Sequence, residues 1–98
     1  MDFSGKFVFV TGGSRGIGRA VATAFATRGA RVAINYLSNT DAAENTLASL
    51  EGGPHMIVQG DVADPESVRH MIENVTEEFG ALDIVVNNAG IYVYHRLE

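Results

Sequence analysis

Residues 11–18 read Thr-Gly-Gly-Ser-Arg-Gly-Ile-Gly, and the chemistry that suits this spacing is the holding of a phosphate by bare backbone. Glycine permits a turn tight enough, and an approach close enough, for main-chain N–H groups to reach the anion with no Cβ in the way. A nucleoside-triphosphate loop fits poorly. Gly13 and Gly18 are correctly separated, but Arg19 and Ala20 stand where that loop needs a lysine and a Ser or Thr. The G-x-G-x-x-G dinucleotide spacing also fails, because Ser14 lies two residues after Gly12. What fits is Thr-Gly-x-x-x-Gly-x-Gly, through Thr11, Gly12, Gly16 and Gly18. Taken alone, the turn is also compatible with an ordinary glycine-rich link between a strand and a helix.

The flanking segments determine how such a turn is presented. Residues 7–10, Phe-Val-Phe-Val, suit a buried strand, and residues 19–26 are rich in helix formers. A helix start at this point adds a partial positive charge to the free N–H groups. Further on, apolar runs at 31–35, 55–59 and 82–86 alternate with helical patterns, which predicts a parallel βαβ sheet. The first helix is expected to present Ile17, Val21, Ala24, Phe25 and Arg28 on one side and to stop at Gly29. A weaker helix spans about residues 40–50, with Ala43, Leu47 and Leu50 at helical spacing. The third has Asp64 as N-cap, Pro65 at the first helical position and Glu66 against the positive end. Its apolar face is Val68, Met71, Ile72, Val75 and Phe79, and Gly80 closes it.

Composition excludes several function classes. The chain has 98 residues, 46% hydrophobic and 19% charged, as in one ordinary globular domain. A net charge of −5 without a basic cluster argues against nonspecific nucleic-acid binding. With no cysteine, and with His55, His70 and His95 widely scattered, neither a disulfide framework nor a metal site is expected. No apolar run approaches the roughly 20 residues of a membrane span. Because the first strand begins almost at once, no targeting peptide is expected, and a cytoplasmic location is the default reading.

Two further motifs lie at predicted strand ends: Asp61-Val62 after the third strand and Asn87-Asn88-Ala89-Gly90 after the fourth. Together with the glycine turn, they make essentially the whole chain resemble the short-chain dehydrogenase/reductase family. The resemblance implies a Rossmann-type α/β fold with strand order 3-2-1-4, the N-terminal half of a doubly wound domain. It implies that Gly12, Ser14, Gly16, Ile17 and Gly18 meet the pyrophosphate of a dinucleotide. It places the adenine amino group on Asp61, with the Val62 N–H beside it, and the adenosine ribose against Asn88, Ala89 and Gly90. Asn87 is expected to tie neighbouring strands together. An NAD site usually carries an acidic residue at the end of strand two. Here the residues are Asn35-Tyr36-Leu37-Ser38, with no carboxylate before Asp41. A ribose 2′-phosphate therefore meets no like charge, and Arg15, Asn35 and Ser38 can bind it. Ser14-Arg15 also resembles NADPH-using members such as the beta-ketoacyl carrier-protein reductases. NADP(H) is expected over NAD(H).

The family's reaction, carbonyl reduction or alcohol oxidation, uses a tyrosine with a lysine four residues later and an upstream serine. The only lysine is Lys6, and Tyr36, Tyr92 and Tyr94 are followed at that spacing by Thr40, Arg96 and Glu98. No catalytic residue is therefore expected among these 98 residues, which read as a partial dinucleotide-binding domain whose substrate site lies elsewhere. A non-catalytic dinucleotide-binding module and a nonfunctional truncated product are the alternatives. Strand four is expected to lack an outer neighbour, and the face carrying the third helix to expose apolar surface. Complete members of the family are usually homo-oligomers.

Overall fold

The structure, a computed structural model, describes residues 2–14, 16–87 and 90–93. Its elements run β1 (Phe7–Val10), α1 (Gly16–Thr27), β2 (Arg31–Tyr36), α2 (Thr40–Ser49), β3 (Met56–Gln59), α3 (Pro65–Phe79), β4 (Ile84–Asn87) and β5 (Gly90–Val93). The sheet order is β3-β2-β1-β4-β5. The first four strands are parallel, with Val8 opposite Val32 and Ile84, and Ala33 opposite Met56. The predicted order is thus observed. The strand order reverses beside β1, the topological position at which open α/β sheets hold ligands.

Each face of the sheet has its own core. On one side, Val8, Val10, Val32, Ile34 and Val86 meet Ala22 and Ala26 of α1 and Leu50 after α2. On the other, Phe9, Ala33, Val58 and Val85 meet Met71 and Val75 of α3, with Leu82 alongside. This split is the outcome of parallel strands read as continuous apolar runs, with successive side chains pointing to opposite helical layers.

Helix α3 matches its expected caps. The Asp64 carboxylate accepts from the Glu66 N–H at 3.1 Å, Pro65 opens the helix, and Gly80 ends it at φ 86°. Helix α1 differs from expectation in its buried face. Gly18, Ala22 and Ala26 are buried, while Ile17, Ala24 and Arg28 are exposed and Val21 and Phe25 only partly covered. The sheet admits the helix through its small residues, which lets it sit close. Phe25 instead packs edge-on against Phe3, ring centroids 4.9 Å apart.

Two expectations about unfinished surface are also corrected. Strand β4 has an outer neighbour, the antiparallel β5, with Asn87 opposite Gly90 and Ile84 opposite Val93. Antiparallel strands need only a very short connection, so the residues just after the Asn-Asn-Ala-Gly motif suffice to cover that edge. Among the described residues, the apolar side chains of the α3 face are buried, as Met71, Val75, Leu82 and Val85 are, or partly buried, as Met56, Val68, Ile72 and Phe79 are, and none is fully exposed.

Candidate nucleotide-binding cleft

The loops that follow β1, β2 and β3 and the end of β4 meet around one cleft of about 440 Å³, lined by residues that include Gly12, Ser14, Tyr36, Leu37, Ser38, Asp61, Val62 and Asn87. The glycine turn forms one wall. Thr11 anchors its start, donating to the Val86 carbonyl from its backbone N–H at 2.9 Å and from Oγ1 at 3.3 Å. Gly16 has φ 64° and open space where a Cβ would stand, so the turn presents bare backbone outward. Gly18 serves a different purpose. A Cβ there would collide with the Gly12 carbonyl oxygen and lie 2.9 Å from the Gly13 Cα. Its role is the close seating of α1 on the turn.

Two side chains outside the turn hold it in place. Thr46, fully buried on α2, donates to the Ser14 carbonyl at 2.6 Å. Asn35, at the end of β2 and 3% exposed, accepts from the Gly12 N–H at 2.9 Å and donates to the Gly60 carbonyl at 3.0 Å. Its carboxamide is therefore committed to backbone, a different task from the phosphate contact expected of it. Ser38 lines the cleft.

The opposite wall follows β3. The Gly60 N–H donates to the Tyr36 carbonyl at 3.0 Å, and the Gln59 side chain donates to the Leu37 carbonyl at 3.0 Å. A Cβ on Gly60 would lie 2.5 Å from the Met71 sulfur and 2.8 Å from Ser67 Oγ. This wall is therefore pressed directly against α3. Asp61 lines the cleft, and its carboxylate accepts from the Ala63 N–H at 2.9 Å. Beside it, the Asp61 N–H donates to Ser67 Oγ at 2.8 Å.

Apolar side chains also reach the surface near the cleft, whose lining is otherwise largely polar. Among the described residues, the exposed large hydrophobic side chains are Ile17 (78%), Leu37 (62%) and Val62 (49%). All three stand at the carboxyl ends of the strands, and Leu37 and Val62 line the cleft. The sequence signal for Leu37 is an apolar residue set between Tyr36 and Ser38 after the second strand. Thr46 was equally legible in principle, as a polar residue on the stripe formed by Ala43 and Leu50. Gly90 begins β5 opposite Asn87. Arg15, Asn88 and Ala89 lie outside the described residues.

The fold is an open α/β domain with a cleft at its topological switch point. The comparisons specify which kind. Residues 6–98 match the family model for short chain dehydrogenase, and the chain belongs to that family. It is 44% identical over 96 residues to a versicolorin reductase from Emericella nidulans, covering 96% of this chain and 36% of that protein. It is 45% identical over 93 residues to an L-rhamnose 1-dehydrogenase (NAD(P)(+)) from a Sphingomonas species, covering 93% of this chain and 37% of that protein. A short chain dehydrogenase from Burkholderia cenocepacia, solved in complex with NADP, superposes with a TM-score of 0.86 at 45% identity. That match covers 97% of this chain and 40% of the other. The chain thus spans well under half the length of the relatives it matches. Among the described residues, no helix is long and apolar enough to cross a membrane.

Proposed function

We propose that residues 1–98 are the cofactor-binding half of an NADP(H)-dependent oxidoreductase that interconverts a carbonyl and an alcohol. The observation that carries this reading is the cleft itself. A turn with bare backbone at Gly16, seated under α1 by Gly18, faces a wall bearing Asp61 and Val62. Its residues fit a dinucleotide. Open space at Gly16 leaves room for a pyrophosphate against the N–H groups of the turn. Ile17, Leu37 and Val62 supply apolar cover for the flat rings of such a ligand. When bound, NADP(H) supplies the hydride, and the protein supplies binding and orientation.

The preference for a 2′-phosphate is read from the end of β2. Ser38 and Asn39 line the cleft there, and the nearest downstream carboxylate, Asp41, lies in the first turn of α2. With Asn35 committed to backbone, the phosphate contact passes to Ser38 and to Arg15 of the turn. Relatives support both the chemistry and the cofactor class: their names include a reductase, a dehydrogenase using NAD(P)(+), and a dehydrogenase complexed with NADP. The acid–base residues of catalysis, the substrate and any assembly belong to the full-length protein in this reading. The chain's one lysine, Lys6, precedes β1 at the end of the sheet remote from the cleft.

Fluorescence titration of NADPH and NADH tests the reading. NADPH is expected to bind more tightly, and Arg15→Ala is expected to remove most of that preference. Equal affinity of parent and Arg15→Ala for NADPH overturns the cofactor assignment.

A further inference from the structure

We infer that Asn35 is a positioning residue that sets the two walls of the cleft in register, so that one buried carboxamide fixes the spacing between the phosphate-binding turn and the base-binding loop. The inference deepens the cofactor reading above and rests on it. Asn35 Oδ1 accepts from the Gly12 N–H at 2.9 Å, and Nδ2 donates to the Gly60 carbonyl at 3.0 Å. The same nitrogen lies 3.3 Å from the Tyr36 carbonyl and 3.2 Å from the Met71 sulfur. The backbone of residue 35 adds a third tie, its carbonyl accepting from the Gly13 N–H at 3.2 Å.

The chemistry of the position is specific. It faces a backbone donor on one side and a backbone acceptor on the other, so it requires an acceptor and a donor held at fixed orientation on a short stem. A carboxamide meets that requirement. A carboxylate offers acceptors only, and an aliphatic side chain offers neither. Gly12 opens the glycine turn, and Gly60 leads directly into Asp61 and Val62. A ligand that bridges the two walls therefore feels the loss of Asn35 without touching it. This separates Asn35 from Thr46, which steadies only the turn.

The decisive variant is Asn35→Asp in the full chain, beside Asn35→Leu. The ionised aspartate presents a lone pair to the Gly60 carbonyl, whereas the protonated acid regains an O–H donor in nearly the same shape. NADPH binding is expected to weaken about tenfold in Asn35→Asp at pH 8, the scale of one lost buried hydrogen bond. The ratio of variant to parent dissociation constants is expected to fall towards one as the pH is lowered. Asp61 and Tyr36 face the same cleft in both proteins, so the ratio removes their contribution. Asn35→Leu is expected to stay weak at every pH, whereas a loss of general stability alone would leave the aspartate variant weak at every pH as well. An Asn35→Asp protein that binds as the parent does at pH 8, or a ratio independent of pH, overturns the inference. Hydrogen exchange gives a readout that needs no cofactor and no variant. The Gly12 amide of the parent is expected to be protected, and exchange at the unprotected rate also overturns the inference. A protected Gly12 in a parent that binds no NADP(H) would sink the functional reading while the coupling of the loops stands.

Discussion

Replacing Gly18 by alanine sets two opposed effects against each other. Alanine favours an α-helix over glycine by up to about 1 kcal/mol, so propensity alone predicts a more stable α1. The contact at this site points the other way. The added methyl would meet the Gly12 carbonyl oxygen and approach the Gly12 carbonyl carbon at 2.7 Å and the Gly13 Cα at 2.9 Å. All three atoms are backbone, so no rotamer change relieves the overlap and the turn itself must move. Overpacking of this kind costs about 1–3 kcal/mol, and the rigidity of the partners places it in the upper part of that range. The net expectation is a loss of about 1–2 kcal/mol, read as a lower Tm. Because the turn moves, NADPH affinity falls as well. Ala24→Gly provides the control on an exposed position of the same helix. It is expected to cost about 1 kcal/mol through propensity and to leave cofactor affinity unchanged. Thermal denaturation and cofactor titration of both variants decide the matter. A Gly18→Ala protein as stable as the parent, with the same affinity, refutes the assignment of Gly18 as the seat of α1.

Other perturbations test neighbouring parts of the argument. Thr46→Val keeps the side-chain shape but removes the 2.6 Å bond to the Ser14 carbonyl. A loss of about 1–2 kcal/mol is expected, together with faster amide exchange in the glycine turn; unchanged exchange would show that the turn does not depend on α2. His55 accepts from the Val32 N–H at Nδ1, 3.0 Å, and faces the Glu51 carbonyl from Nε2 at 2.7 Å. Since that carbonyl only accepts, the ring carries its proton on Nε2, and ¹⁵N spectra of the ring should show a bare Nδ1. On α3, the hydrogen bond from Arg69 holds the Glu66 carboxyl below the usual carboxylate range. A carboxyl depressed in the folded state stabilises above its unfolded pKa and loses that contribution as the pH falls through the folded value. Any stability gap between parent and Glu66→Gln should therefore be present at neutral pH, small because the pair is exposed, and absent in strong acid.

The features legible in the sequence were those encoded locally. Asp64, Pro65 and Gly80 mark the ends of α3 within a few residues of the groups they cap, and the apolar runs of the parallel strands need no partner to be recognised. The glycine turn was visible because φ and close approach restrict residue type directly. The buried face of α1 was not, because periodicity of large residues favoured Ile17 and Phe25, whereas the sheet accepts Gly18, Ala22 and Ala26. The backbone ties of Asn35 were not legible for a related reason. Its residue type suited a phosphate contact, but its partners Gly12 and Gly60 lie 23 and 25 residues away, and only the folded topology brings them together. Strand β5 is short and is defined by its antiparallel pairing with β4, a partnership that its own four residues do not encode.

The contact of Gly60 with α3 bears on how this cleft can diversify. Any side chain at position 60 must displace the Met71 sulfur or the Ser67 hydroxyl, and Met71 also meets the amide of Asn35. Mutational drift at positions 60 and 71 is therefore not independent. A larger residue at the first demands a smaller one at the second, and paired changes there should restore what either change alone destroys. In a collection of functional variants, the two positions should covary.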